Sequence, residues 1–145
     1  MQKPIVEVDT TIAADPKTIW AAMTRKHTAM FAGADVDTDW KVGHPITFSG
    51  RWKGKAFKDH GEIQSLKEGR ELSFTHWSEM DGTPDKPENY HIVRYVLEPH
   101  GHKTMVKLSQ TNMGNAKVDA STRQEYEKNW RMMLDGLKDA VEKKH

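Results

Sequence analysis

VDASTRQEYEKNWRMMLDGLKDAV, residues 118–141, is the stretch on which the fold turns. Val118, Tyr126, Trp130, Met133, Leu134, Leu137 and Val141 recur along it at helical spacing, and Lys, Glu, Asp and Arg fill most of the positions between. A repeat near 3.6 gathers such apolar residues on one stripe and leaves the charges on the solvated side. The spacing therefore predicts one long amphipathic helix from Val118 onward, and a stripe of this kind needs an apolar surface to cover it.

The chain before it can supply that surface. From Val36 to Gln110 the apolar period is two, broken by Gly43-His44-Pro45, Lys53-Gly54, Glu68-Gly69, Gly82 to Pro87 and Pro99-His100-Gly101. These breaks predict about six strands joined by short turns, an antiparallel meander with one face free for packing. Ile5 to Ile12 alternates as a further strand, with Val6 and Val8 on one face. Asp15-Pro16 then offers an N-cap and a proline at the first helical position, and Ile19, Trp20 and Met23 follow at helical spacing. Lys26 to Ala32 reads as a second short helix or helical turn before Gly33. The order implies an α+β helix-grip fold: a curved antiparallel sheet of about seven strands around a long C-terminal helix, with two short helices after strand one.

The 145 residues fit one domain, 1–145, with no composition break or internal repeat to divide them. Hydrophobic residues at 36% can build a core. Lys and Arg total 22 against 21 Asp and Glu, and the two signs are interspersed, so no basic stripe marks a nucleic-acid partner. There is no apolar run near the roughly 20 residues that span a bilayer. Met1-Gln2-Lys3-Pro4-Ile5 lacks the apolar core of a signal peptide, so a cytoplasmic location without membrane insertion is expected. With no cysteine, disulfides, thiolate nucleophiles and thiolate metal sites are excluded.

Register can be argued for the last hairpin. A turn centred between His100 and Gly101 sets Leu97 opposite Thr104, Tyr95 opposite Val106, Val93 opposite Leu108 and His91 opposite Gln110. The face bearing Val93, Tyr95, Leu97, Val106 and Leu108 is then the concave one. Leu72, Phe74 and His76 share a face on the preceding strand, and antiparallel pairing brings His76 beside His91. His76, His91 and Gln110 are thus expected to cluster at one end of an apolar cleft lined by Phe48, Trp52, Phe74, Val93, Tyr95 and Leu108 from the sheet and Trp130, Met133 and Leu137 from the helix.

Two readings of this set stand side by side. The polar cluster can orient the polar end of a ligand, or supply a histidine acid or base, since imidazole titrates near neutral pH. It can equally serve to satisfy buried groups among themselves and with the loop at 78–88. The apolar stripe is what any packed core requires, but a strongly bent sheet cannot follow a straight helix, and side chains or a ligand must fill the gap. Eight methionines suit an adaptable lining. His100-Gly101-His102 has no third ligand nearby, and Asp59 lies by alternation on the face opposite His60 and Glu62. No metal site, cofactor or catalytic nucleophile is therefore expected.

Asp15-Pro16 with Ile19-Trp20, Asp39-Trp40 before Gly43, Gly61-Glu62-Ile63, Leu72-Ser73-Phe74, Glu98-Pro99 with Thr104, and Asn129-Trp130 with Leu134 and Leu137 recur in an order that covers nearly the whole chain. In this order the sequence resembles the SRPBCC superfamily of START-like and birch-pollen-allergen-like domains, in the branch named for the activator of the Hsp-90 ATPase. The run Pro84-Asp85-Lys86-Pro87-Glu88-Asn89-Tyr90-His91 is similar to a signature of a bacterial subgroup of that branch. Met30-Phe31 stands where members often carry a tryptophan pair, and Gly43-His44-Pro45 where they carry a double glycine. The resemblance implies a binder of a hydrophobic small molecule, held between the sheet and the last helix. It also leaves open an enzyme of the polyketide cyclase or hydrolase type with His76 or His91 as general base, and a co-chaperone-like module with a protein partner.

Overall fold

The computed structural model describes residues 4–52, 54–79, 82–114 and 118–143, and the side chain of Trp52 lies outside that description. Its elements are β1 (Val6–Ile12), α1 (Pro16–Thr24), β2 (His27–Thr28), a 3-10 turn at Ala29–Phe31, β3 (Ala34–Asp37), β4 (Pro45–Trp52), β5 (Lys55–Lys67), β6 (Glu71–Ser78), β7 (His91–His100), β8 (Lys103–Asn112) and α2 (Ala120–Glu142). One eight-stranded sheet runs in the order β1-β8-β7-β6-β5-β4-β3-β2, with every neighbouring pair antiparallel. Six strands from β3 to β8 form the expected meander, while β1 crosses over to pair with β8. Among the described residues no helix is long and apolar enough to cross a membrane.

Both helices begin where side chains cap them. Asp15 accepts from the Thr18 N–H at 2.8 Å with Pro16 in the first turn, and Asp119 accepts from the Thr122 N–H at 2.7 Å. The Thr122 hydrogen bonds hold the Asp119 carboxyl below its ordinary range. That cap fixes the start of α2 at Ala120, so Val118 precedes the helix instead of opening it.

The strand count is eight because Lys26 to Ala32 is not a second helix. His27 and Thr28 pair with Asp35 and Ala34, and a three-residue 3-10 turn follows. Thr28 decides this: its hydroxyl donates to the Met23 carbonyl at 2.6 Å and accepts from the Met30 N–H at 3.1 Å. With Ala32 already left-handed at φ 53°, too few residues remain for a helical turn to propagate.

The last hairpin also differs from expectation, by two residues. Gly101 adopts φ 63° as the first of two turn residues, so His100 pairs with Lys103. A positive φ at that first turn position suits the right-handed twist of the flanking strands. Leu97 therefore faces Val106, Tyr95 faces Leu108, Val93 faces Gln110 and His91 faces Asn112. A shift of two leaves every side chain on its expected face. His76 does pair with His91.

Trp130, Leu134, Leu137 and Val141 of α2 are buried in one cluster with Val6, Val8 and Ile12 of β1 and with Tyr95, Leu97, Val106 and Leu108 of the hairpin. Each such burial contributes about 1.5–3 kcal/mol. The C-terminal half of α2 is also tied to the β1 end by hydrogen bonds, Lys138 Nζ donating to the Thr11 carbonyl and the Ala13 N–H to Glu142 Oε2, each at 2.8 Å. On the outer face His60 meets Trp77 and Tyr90 edge-on, and Asp85 ties residues 82–90 down by binding His60 at 3.0 Å and the Tyr90 hydroxyl at 2.5 Å. Burial, aided by Asp85, pushes the Tyr90 phenol up to about 12.

Two substitutions test this packing. A Cβ at Gly61 would lie 1.6 Å from the Thr75 carbonyl oxygen, so Gly61→Ala forces β5 and β6 apart and should cost about 1–3 kcal/mol, read as a lower urea midpoint. An unchanged midpoint would mean that the two strands do not approach so closely. The Tyr95 hydroxyl, buried without a hydrogen-bond partner among the described residues, raises its own pKa by desolvation. Tyr95→Phe removes the unpaired group and should gain about 1 kcal/mol of stability. A marked loss would reveal a partner for the hydroxyl.

Candidate functional site

The clamp at Lys138 and Glu142 holds the C-terminal half of α2 on the sheet, and beneath its N-terminal half lies a cavity of about 390 Å³. This is a usual size for a small-molecule site. Its walls are Phe31 and Ala34 on one side, Phe57, Asp59, His76 and His91 across the sheet, and Tyr126, Trp130 and Met133 from the helix. The helical residues belong to the same stripe that covers the core farther along, so one periodic pattern serves both packing and lining.

Gln110 orders one side of the polar wall. The Trp130 indole N–H donates to Gln110 Oε1 at 2.5 Å, which turns the amide nitrogen toward His91 and Asn112. That nitrogen lies 3.0 Å from His91 Nδ1 and 3.2 Å from Asn112 Oδ1. His91 Nδ1 is 2.7 Å from the same Asn112 oxygen, which can only accept, so Nδ1 carries a proton and Asn112 is the shared acceptor. The chain from Trp130 through Gln110 to Asn112 and His91 holds the Gln110 amide in one orientation, its oxygen on the indole and its nitrogen on the other two. His91 meets the Tyr126 ring edge-on at 5.8 Å.

Asp59 and His76 form the other side. Asp59 Oδ2 lies 2.9 Å from His76 Nε2, and an ionised carboxylate only accepts, so Nε2 donates. Asp59 Oδ1 and His76 Nδ1 are buried with no hydrogen-bond partner among the described residues. The imidazole lies between two rings, Phe31 at 5.8 Å and nearly parallel, and His91 at 6.5 Å.

The structure brings together His76, His91, Gln110, Trp130 and Met133 at the cavity. Phe48, Phe74, Val93, Tyr95, Leu108 and Leu137, expected as lining, lie instead in the closed core. The reason is depth: the Phe31 ring sits 4.5 Å from Phe48 and 6.4 Å from Phe74, covering both, and Leu137 belongs to the clamped half of α2. The Trp52 side chain lies outside the described residues.

Phe31, Phe57, Asp59 and Tyr126 were not among the expected lining. Phe31 falls in the segment that reads as helix. Asp59 is hidden by a bulge: register counted from the Glu68-Gly69 turn places it on the face away from His76, and the shift between Ile63 and Ser65 returns it to the same face. A usable signal came from the other side, since counting from the Lys53-Gly54 turn sets Asp59 opposite Phe48, as the structure has it. Among the described residues no group of three or more His, Asp or Glu side chains could hold a metal ion.

The geometry can be set beside known proteins. No curated protein matches this chain. The solution structure of ChR145 from Cytophaga hutchinsonii is similar at 34% identity and a TM-score of 0.78, covering 98% of this chain and 97% of that one. The solution structure of the Aha1 dimer from Colwellia psychrerythraea shares the fold at 20% identity and a TM-score of 0.68, over 94% and 96% of the two chains. So does the crystal structure of Ara h 8.0201, at 14% identity and a TM-score of 0.66, over 96% and 97%. Residues 13–142 match the model of the family described as Activator of Hsp90 ATPase homolog 1-like protein, and the chain belongs to that family.

Proposed function

We propose that the protein binds a hydrophobic small molecule in the cavity under the N-terminal half of α2. The observation that carries the reading is the cavity itself, about 390 Å³, where Phe31, Phe57, Trp130 and Met133 are joined by a few polar side chains such as Asp59, His76 and His91. Apolar walls with a few convergent polar groups are the usual composition of a ligand site. The fold supports the same reading, since domains of this superfamily generally hold hydrophobic ligands. In this role the protein carries or sequesters its ligand without chemistry.

A second reading rests on Asp59 and His76. A carboxylate bonded to one ring nitrogen of an imidazole is how a general base is oriented, which favours the enzymatic alternative. The two readings separate on one variant: His76→Gln abolishes turnover while keeping affinity if the protein is an enzyme, and affects affinity alone if it is a binder.

Nile red, a neutral apolar dye, tests the binding reading. It should bind the folded protein and raise the melting temperature as its concentration rises, by an amount equivalent to about 2.7 kcal/mol at a hundred times Kd. Met133→Trp fills the cavity and should weaken binding by about tenfold or more while the protein stays folded, equivalent to about 1.4 kcal/mol. Unaltered dye affinity in the folded variant would place binding elsewhere.

A further inference from the structure

Asp59 and His76 are each 8% exposed, and both line the cavity. Their mutual hydrogen bond uses one atom of each and leaves Asp59 Oδ1 and His76 Nδ1 without partners among the described residues. Asp59 Oδ1, a carboxylate oxygen, accepts, and the ring nitrogen of His76 accepts only as the unprotonated member of its imidazole, so the carboxylate oxygen is the acceptor that defines the pair. Both residues line the cavity, so a molecule bound there lies beside the pair. Leaving such groups buried and unpaired is costly, and Gln110, the amide of the same wall, is turned away by Trp130 and Asn112.

Resting on the ligand-binding reading above, we infer that Asp59 and His76 form a subsite for a hydrogen-bond donor, and that the bound molecule presents a hydroxyl there on an aromatic or alicyclic skeleton. A carbonyl or ether oxygen would set acceptor against acceptor. A carboxylate would bring a second anion against Asp59, and the cation that could offset it, Arg51, is exposed and donates to the Gly54 carbonyl at 3.2 Å. An ammonium would have to shed its hydration among Phe31, Phe57 and Trp130, where desolvating a charge costs far more than desolvating a hydroxyl. The aromatic walls suit a flat skeleton, and the His76 ring, already stacked between Phe31 and His91, holds the subsite rigid.

Matched naphthyl probes test this on the intact protein by calorimetry. 2-Naphthol should bind about 5- to 150-fold more tightly than 2-methoxynaphthalene, which keeps the skeleton and oxygen but has no proton to donate. Asp59→Asn keeps an acceptor for His76 Nε2 and puts an amide donor where Oδ1 stood, so the advantage of 2-naphthol should collapse toward equality. In the unsubstituted protein, the imidazole nitrogen NMR signal of His76 should move with 2-naphthol and stay in place with the methyl ether. Equal affinities for the two probes overturn the donor subsite while leaving a ligand pocket in place, and failure of every naphthyl probe to bind overturns both. Tighter binding of 2-naphthoate or of 2-naphthylmethylamine than of 2-naphthol overturns the choice of hydroxyl. A crystal structure of the 2-naphthol complex with its hydroxyl turned away, and only water at Asp59 and His76, overturns the assignment whatever the affinities.

Discussion

A straight helix cannot follow a curved sheet along its whole length, and this mismatch organises the molecule. α2 resolves it by committing one half. Leu134, Leu137 and Val141 pack on β1 and the hairpin, and Lys138 and Glu142 fasten that half to the β1 end. The other half, from Tyr126 to Met133, spans the space that the sheet curves away from. The cavity is thus the remainder of a packing problem, and its position follows from where the clamp sits. Protein interiors seldom leave voids of this size, since each unfilled contact forfeits dispersion energy. The space of about 390 Å³ left here opens between buried and exposed residues, with Phe31 and His76 on the inside and Arg51 and Met132 toward the surface.

Polar groups divide this space into a sealed side and an open one. Trp130, Gln110, Asn112 and His91 satisfy one another, so this side contributes rigidity and fixes the helix at the one large aromatic it buries there. Asp59 and His76 satisfy each other only by half. Buried networks left incomplete are costly to keep, and the remaining capacity faces a ligand's chemistry more than the protein's own. In the proposed site, recognition falls to a carboxylate and an imidazole from neighbouring strands, while the aromatic walls supply area.

Much of this was legible in the sequence, and the exceptions have physical causes. The stripe from Tyr126 to Val141 and the period-two run from Val36 to Gln110 predict the helix, the meander and their packing, because burial periodicity is local. The Asp15-Pro16 start of α1 was readable for the same reason, a cap being a matter of adjacent residues. Lys26 to Ala32 was misread because Thr28 takes its structure from hydrogen bonds to Met23 and Met30 and from pairing with β3, which helical spacing alone does not record. His76 and His91 were placed together by strand parity, which survives a two-residue error in a turn. Strand parity does place Asp59 on the face opposite His60 and Glu62, but its approach to His76 was not legible from the β6 side, because a single bulge between Ile63 and Ser65 reverses parity there. The division between cavity and closed core was the least legible part: Phe74 and His76 share a strand face, and only the Phe31 ring lying over Phe74 separates one role from the other.

The central claim is that the space under the N-terminal half of α2 is a ligand site. Native mass spectrometry of the protein purified from its own host measures this directly, comparing the native mass with that of the denatured chain. A single small organic molecule should be retained per chain and released on denaturation, and should be lost from the cavity-filled Met133→Trp protein. A native mass equal to that of the bare chain, from preparations in which Nile red also fails to bind, would contradict it.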